Sequence, residues 1–317
     1  MKITGTFLDE ISHDIPSQNW GPEDWRRDFA VMKAIGFDTV ILIRCGYLRW
    51  MTYPSKVLAA ERNGFLPPLD LVGLYLDLAE RYGMDFYLGL YDSCEYWLKG
   101  QYQKEVDLTR KVIDEVWGLY GRRAAFKGWY LSQEVGHKEH SVIELYRSIA
   151  KHCKDVSGDL PILISPFVNG IHTPHLPERA MKGQTQGLTP QAHQRQWDEI
   201  LSGISDVIDI VAFHSGGAGW DFQNEYLAAN TNVARKHHLA SWENVECFDR
   251  DMRIFFPPIK WEKLLRRLES AERAGAEKII TFEFSNFMSP NSCWPSARNL
   301  FARYCEHFKM DWRAIGQ

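Results

Sequence analysis

Eight times in succession this chain passes from a short apolar run of strand length into an amphipathic segment of helical period, and no Pro/Gly/Ser-rich linker interrupts the series. The strand-like runs fall at residues 3–9, 39–44, 86–92, 126–134, 161–169, 207–214, 238–243 and 278–285. Helical faces follow each of them. Trp25, Phe29, Met32 and Ile35 recur at helical spacing until Gly36, and later helices are expected at 69–82, 101–120, 141–154, 190–204, 225–236, 261–274 and 297–308. Regular alternation of this kind predicts a parallel sheet, and eight units fit a closed barrel better than an open sheet. The expected fold is therefore α/β, a (β/α)8 TIM barrel forming a single domain over residues 1–317. No GxGxxG or GxxxxGK[ST] follows a strand, which removes the main support for a nucleotide-binding α/β fold.

The loops after strands are longer than those after helices, at 46–68, 170–189, 216–224, 244–260 and 286–296. In a barrel these loops share the C-terminal face, where such folds place their chemistry. Three strand-like stretches, 126–134, 238–246 and 278–286, carry glutamates at their ends: Glu134, Glu243 with Glu246, and Glu283. An ionised carboxylate beside apolar surface is costly unless it is paired or used. The other strand ends add Asp9, Glu10, Arg44, Asp92, Asn169, His214 and Asn286. Six of the twelve tryptophans, Trp20, Trp50, Trp97, Trp220, Trp242 and Trp294, fall at or just beyond strand ends, with Tyr47, Tyr53, Tyr91 and Phe287 beside them.

Acids, aromatics and amide or guanidinium donors, without a nucleophilic serine motif, point to glycoside chemistry. Sugar C–H faces pack on aromatic rings, and acetal cleavage needs a proton donor and a second carboxylate. Glu134, after the apolar Trp129 and Leu131, is the expected general acid, its pKa raised by those neighbours. The plain alternative is an acid that caps the next helix or pairs with Arg44 or His137. Glu243, directly after Trp242, is the expected nucleophile or base, with Glu246 and Glu283 competing for that role. Glu10, Arg44, Asp92, Asn169, His214, Trp242, Glu246, Glu283 and Asn286 are the expected sugar-binding groups.

A net charge of −4 gives no basic field for nucleic acid, and no run of 18 apolar residues is present to span a membrane. A carbohydrate substrate is the expected partner, with no cofactor and no metal. Six scattered cysteines without a CxxC pair read as free thiols. With strand-like residues from Ile3 onward there is no room for a signal peptide, so a cytoplasmic location is expected unless a signal was removed.

The motifs GTFLDE, EDW, MKAIGFDTVILIR, FKGWYLSQE, WENVECF and FEFSNFMSP, spread over nearly the whole chain, resemble the family numbered 4434 among domains of unknown function. That resemblance implies a candidate glycoside hydrolase of (β/α)8 type. More distantly, the chain resembles retaining glycosidases whose acid/base ends strand four and whose nucleophile ends strand seven, places that Glu134 and Glu243 occupy, which implies a retaining mechanism. Those enzymes have Asn before the strand-four glutamate, where this chain has Gln133.

Two other classes compete. Metal-dependent sugar isomerases of the xylose-isomerase-like barrel use ligands at strands four, five, six and eight, where this chain offers Glu134, Asn169, His214 and Glu283. The neutral Asn169 weakens such a site. A non-catalytic carbohydrate-binding barrel would keep the aromatics without needing the acids. His172 and His175 form an HxxH among prolines that cannot hold helical ligand geometry, and His237 and His238 fall at the opposite end of the barrel.

Overall fold

The computed structural model describes residues 1–13, 15–136, 141–171, 187–250, 252 and 256–315. Eight parallel strands close in chain order: β1 (Ile3–Leu8), β2 (Thr39–Leu42), β3 (Asp85–Gly89), β4 (Phe126–Leu131), β5 (Ile162–Ile164), β6 (Ile210–His214), β7 (Ala240–Glu246) and β8 (Lys278–Phe282). β8 pairs back onto β1, with Ile3 opposite Ile279. The expected TIM barrel is the observed fold.

The helices are α1 (Pro22–Ala34), α2 (Lys56–Arg62), α3 (Leu71–Tyr82), α4 (Tyr102–Tyr120), α5 (Val142–Ser157), α6 (Pro190–Ser202), α7 (Gln223–Lys236), α8 (Trp261–Ala274), α9 (Phe284–Phe287) and α10 (Pro295–His307). Local sequence sets several of their ends. Proline opens α1, α6 and α10, where the missing N–H costs nothing, and the Asp70 side chain accepts from Gly73 N to cap α3. Gly83 ends α3 at φ +60°, a conformation a side chain would strain.

Strand periodicity divides the core in two. Phe7, Ile41, Tyr87, Tyr130, Leu163, Ala212 and Ile280 fill the barrel, while their chain neighbours, such as Leu42, Leu88, Trp129, Val211 and Ile279, pack against the helices. Within a strand, a side chain's parity therefore decides whether it faces the barrel interior or the helices.

Three boundaries differ from expectation in ways that matter for function. β7 runs three residues beyond 243, because Asn244, Val245 and Glu246 pair with Ile280, Thr281 and Phe282 of β8. The run at 86–92 breaks after Gly89, and Tyr91–Asp92 joins a separate small sheet with Gly46–Tyr47 and Trp50–Met51. β8 stops at Phe282, so Glu283 begins the short α9 instead of ending a strand.

Behind the strand ends, a buried carboxylate ties two site-bearing segments together. Glu105 Oε1, on α4, accepts from Ser93 N at 3.1 Å and from Gln133 Nε2 at 3.1 Å, and the Ser93 hydroxyl donates to Oε2. Gln133 Nε2 also donates to the Tyr91 carbonyl at 3.0 Å. The neighbours of Asp92 and Glu134 are thus bolted to one helix. Gln133 serves this bolt, which accounts for its place before Glu134.

Two outcomes are expected. A Cβ on Gly89 would stand 2.1 Å from the Leu42 carbonyl oxygen and 2.4 Å from that of Ile43, backbone atoms that cannot yield. Gly89→Ala should therefore lose about 1–3 kcal/mol in urea unfolding. Burial, helped by the Asp92 charge, pushes Glu105 up to about 7 against its hydrogen bonds, so the folded chain holds that proton more tightly than the unfolded one. Stability should fall as pH rises from about 4.5 to about 7 and then level off, by roughly 3 kcal/mol relative to Glu105→Gln. Parallel stability curves for the two proteins would remove this role from Glu105.

Candidate active site

The C-terminal strand ends enclose a cavity of about 200 Å³. Parity delivers its polar groups. Asp9 continues the inward face of Phe7, Glu134 that of Tyr130 and Ser132, and His214 that of Ala212. Asn244 and Glu246 continue that of Trp242. Arg44 follows β2, and Asp92 enters from the small sheet. Ile15, Ile43, Phe248, Phe256 and Phe282 add apolar wall.

Glu134 is the accessible acid of the group, with 34% of its side chain exposed. Its Oε1 lies 3.5 Å from Arg44 Nη2 and its Oε2 3.8 Å from His214 Nε2. The other imidazole nitrogen, Nδ1, is 3.3 Å from Glu246 Oε1, so one ring touches both carboxylates. Trp129 and Leu131, expected as apolar neighbours of Glu134, face the helices. A guanidinium and an imidazole stand beside it instead.

Glu246 is nearly inaccessible and heavily paired. Arg250 Nε approaches its oxygens at 2.9 and 3.1 Å, Arg250 Nη2 reaches Oε1 at 2.5 Å, and Arg267 Nη1 lies 3.6 Å from Oε2. Burial alone would raise this carboxyl, but Arg250, His214 and Arg267 hold it well below the usual carboxylate range, and it stays ionised. Gly216, in the turn after β6, makes room: a Cβ there would lie 1.7 Å from Glu246 Oε2.

Arg44 is the buried cation opposite. Burial works against its charge, but Glu134, Asp92 and Asp9 outweigh burial and hold the guanidinium charged. Its Nη1 donates to Ser12 Oγ at 3.2 Å, and the group lies 4.7 Å above the Tyr47 ring. Asp9 is raised by burial despite Arg44 and the backbone N–H groups of Ile11 and Ser12, which Oδ1 accepts at 3.1 and 3.0 Å. Asp92 Oδ1 accepts from Trp97 Nε1 at 2.8 Å and from Cys94 N at 2.7 Å. The Tyr47 hydroxyl lies 2.8 Å from His13 Nδ1 and 3.0 Å from Cys94 Sγ.

Of the expected site residues, the structure brings Glu134, Arg44, Asp92, His214 and Glu246 to the cavity. Glu243 does not line it. It shares the parity of Ser241 and Val245, toward the helices, and lies in mid-strand because β7 continues to Glu246. Glu10 also lies outside. It accepts from Ser17 Oγ at 2.5 Å and Gln18 N at 3.3 Å to fix the loop after β1, and its neighbour Asp9 takes the cavity position.

Glu283 and Asn286 pair with each other within α9, where burial raises Glu283 well above the usual carboxyl range. Asn169 is not among the lining residues either. The four groups of the isomerase pattern therefore do not meet. Trp242 faces inward but is only partly buried and sits on the far side of the barrel filling from the cavity, opposite Lys278 at the start of β8, with Lys278 Nζ 5.1 Å above its ring. Of the aromatic rim, Tyr47 and Trp97 reach the cavity. Trp20 packs on Trp25, Trp220 stacks beneath Arg266 and Arg267, and Trp294 is the N-cap residue just before α10. Tyr53 donates to Glu115, Tyr91 donates to the Leu48 carbonyl, and Phe287 packs on Phe248.

Arg250, Phe248, Phe256, Ser12 and His13 are lining residues the sequence pattern does not single out, since loop residues carry no periodic signal, and Asn244 joins them because β7 extends past its expected end. His137, His172 and His175 lie outside the described residues. All six cysteines are free. Among the described residues no helix is long and apolar enough to cross a membrane.

The chain is similar to a solved structure from Bacteroides thetaiotaomicron VPI-5482 described as a candidate α-L-fucosidase. The two share 47% identity over 98% of this chain and 94% of that one, with a TM-score of 0.91. Two more distant structures share the fold. Cellulose synthase subunit Z of Clostridioides difficile is 14% identical over 96% and 99% of the two chains, TM-score 0.55, and a family 1 β-glucosidase of Thermotoga maritima is 12% identical over 86% and 79%, TM-score 0.53. No curated protein matches the sequence. The barrel is glycosidase-like, and with its family model matched over residues 3–294 the chain belongs to the family described as domain of unknown function DUF4434.

Proposed function

We propose that this protein is a glycoside hydrolase in which Glu134 protonates the leaving oxygen and Glu246 supplies the ionised carboxylate at the anomeric carbon. The observation that carries this reading is the pair of glutamates from the ends of strands four and seven, facing one cavity with opposite environments and a shared imidazole. Glu134 is open to a substrate, whereas Glu246 is kept charged by Arg250 and Arg267. Acetal cleavage needs one acid within reach of the leaving oxygen and a second, ionised carboxylate at the anomeric carbon.

Asp9, Asp92 and Arg44 surround the same space and suit sugar hydroxyls. The wall formed by Ile15, Phe248 and Phe282 suits the C–H face of a ring or the methyl group of a 6-deoxy sugar. The Bacteroides relative makes an α-L-fucoside the first glycoside to test. Retention of configuration is part of the proposal, with Glu246 as nucleophile. An inverted first product, followed by NMR, would make Glu246 the base of a water instead.

Glu134→Gln should lower kcat/KM about 10²–10⁴-fold on glycosides with poor leaving groups. The loss should be far smaller on a dinitrophenyl glycoside, whose leaving group needs no proton. Glu246→Gln should abolish turnover of both. Full activity of the two variants across a panel of aryl glycosides that includes the α-L-fucoside would reject the assignment.

A further inference from the structure

The cavity is small beside the roughly 300–1,000 Å³ of drug-sized ligand pockets and has room for a single sugar ring. One wall of it does not end at the cavity mouth. In the small sheet, Tyr47 pairs with Trp50 on one side and with Asp92 on the other, while Gly46 pairs with Met51 and Tyr91. Residues opposite one another in a sheet project from the same face. The Gly46 row is turned inward: Met51 and Tyr91 belong to the core, and a Cβ on Gly46 would strike Leu58 and Tyr91. The other row runs outward from two cavity residues, Asp92 and Tyr47, to Trp50, whose surface is 54% exposed.

Trp50 does not stand alone. The Phe65 ring packs against it at 4.9 Å between centroids and is itself 43% exposed. The Arg49 guanidinium covers Phe65 at 4.2 Å and is anchored by the Asn63 carbonyl at 2.9 Å. Leu66, next in the chain, is 69% exposed. Exposed apolar groups gathered in one place are uncommon on a soluble surface without a binding role. An exposed Trp50 ring, braced by Phe65 and its covering guanidinium, matches a sugar ring, which offers C–H groups on its faces and hydroxyls around its rim.

We propose that Trp50 and Phe65 form a platform for the sugar next to the one in the cavity, so that the substrate is an oligosaccharide held across the cavity and the hairpin. This rests on the glycoside hydrolase reading for the identity of the cavity sugar. The platform itself is read out by binding, without turnover.

In the Glu134→Gln background, calorimetric titration with 2′-fucosyllactose, mannotriose and cellotriose, each against its terminal monosaccharide, should give at least one trisaccharide bound about tenfold or more tightly than its monosaccharide. Trp50→Ala should remove that preference, and Phe65→Ala should weaken it. Leu119→Ala, an exposed leucine on α4 away from the hairpin, should keep it. A preference that survives Trp50→Ala overturns the proposal, as does the lack of any saturable trisaccharide binding. If sedimentation shows that Trp50→Ala dissociates an oligomer while leaving the preference intact, the patch belongs to a second copy of the chain and the proposal fails. Length preference with hydrolytically unaffected Glu134 and Glu246 variants would keep the platform and reject the roles given to those two acids. Hydrolysis without length preference would do the reverse.

Discussion

Eight strands share one barrel axis, and every inward side chain competes for the same narrow space. Phe7, Ile41, Tyr87, Tyr130, Leu163 and Ile280 fill the interior, so inward residues further along the strands are lifted toward the C-terminal mouth. Asp9, Glu134, His214 and Glu246 owe their positions to this stacking. Shifting any of these strands by one residue would turn its polar terminus away from the cavity and toward the helices.

Charges gathered this way could not remain buried singly, because an unpaired ion away from water costs several kcal/mol. The cavity answers with two opposed clusters. Arg44 is set among Glu134, Asp92 and Asp9, and Glu246 is set among Arg250, Arg267 and His214. His214 and Glu134 are where the clusters touch. The result is one carboxylate locked in its charged form and another that is open to a ligand, an asymmetry created by neighbours rather than by the acids themselves.

Much of the site was legible in the linear pattern. Arg44, Asp92, Glu134 and His214 each follow an apolar run at the expected place, and the eightfold alternation placed them at one end of a barrel. Which of Glu243 and Glu246 reaches the cavity was not legible, because the length of β7 depends on pairing with β8, and three residues of added pairing decide which glutamate ends the strand and which way each one points. Glu283 illustrates the same limit: it follows an apolar run, but the chain turns into α9 and buries it against Asn286. Most of the tryptophans likewise had local partners, such as Trp25 for Trp20, that no spacing rule reveals.

The sequence by itself determined the barrel, since hydrophobic period and turn residues are local properties that repeat eight times. It also determined that several acids would collect at one rim. Only the tertiary structure decided which of them share the cavity. That choice is set by strand register, by the room left at Gly216 and by guanidiniums such as Arg250, which reach the site from loops and are brought there by the closing of the barrel.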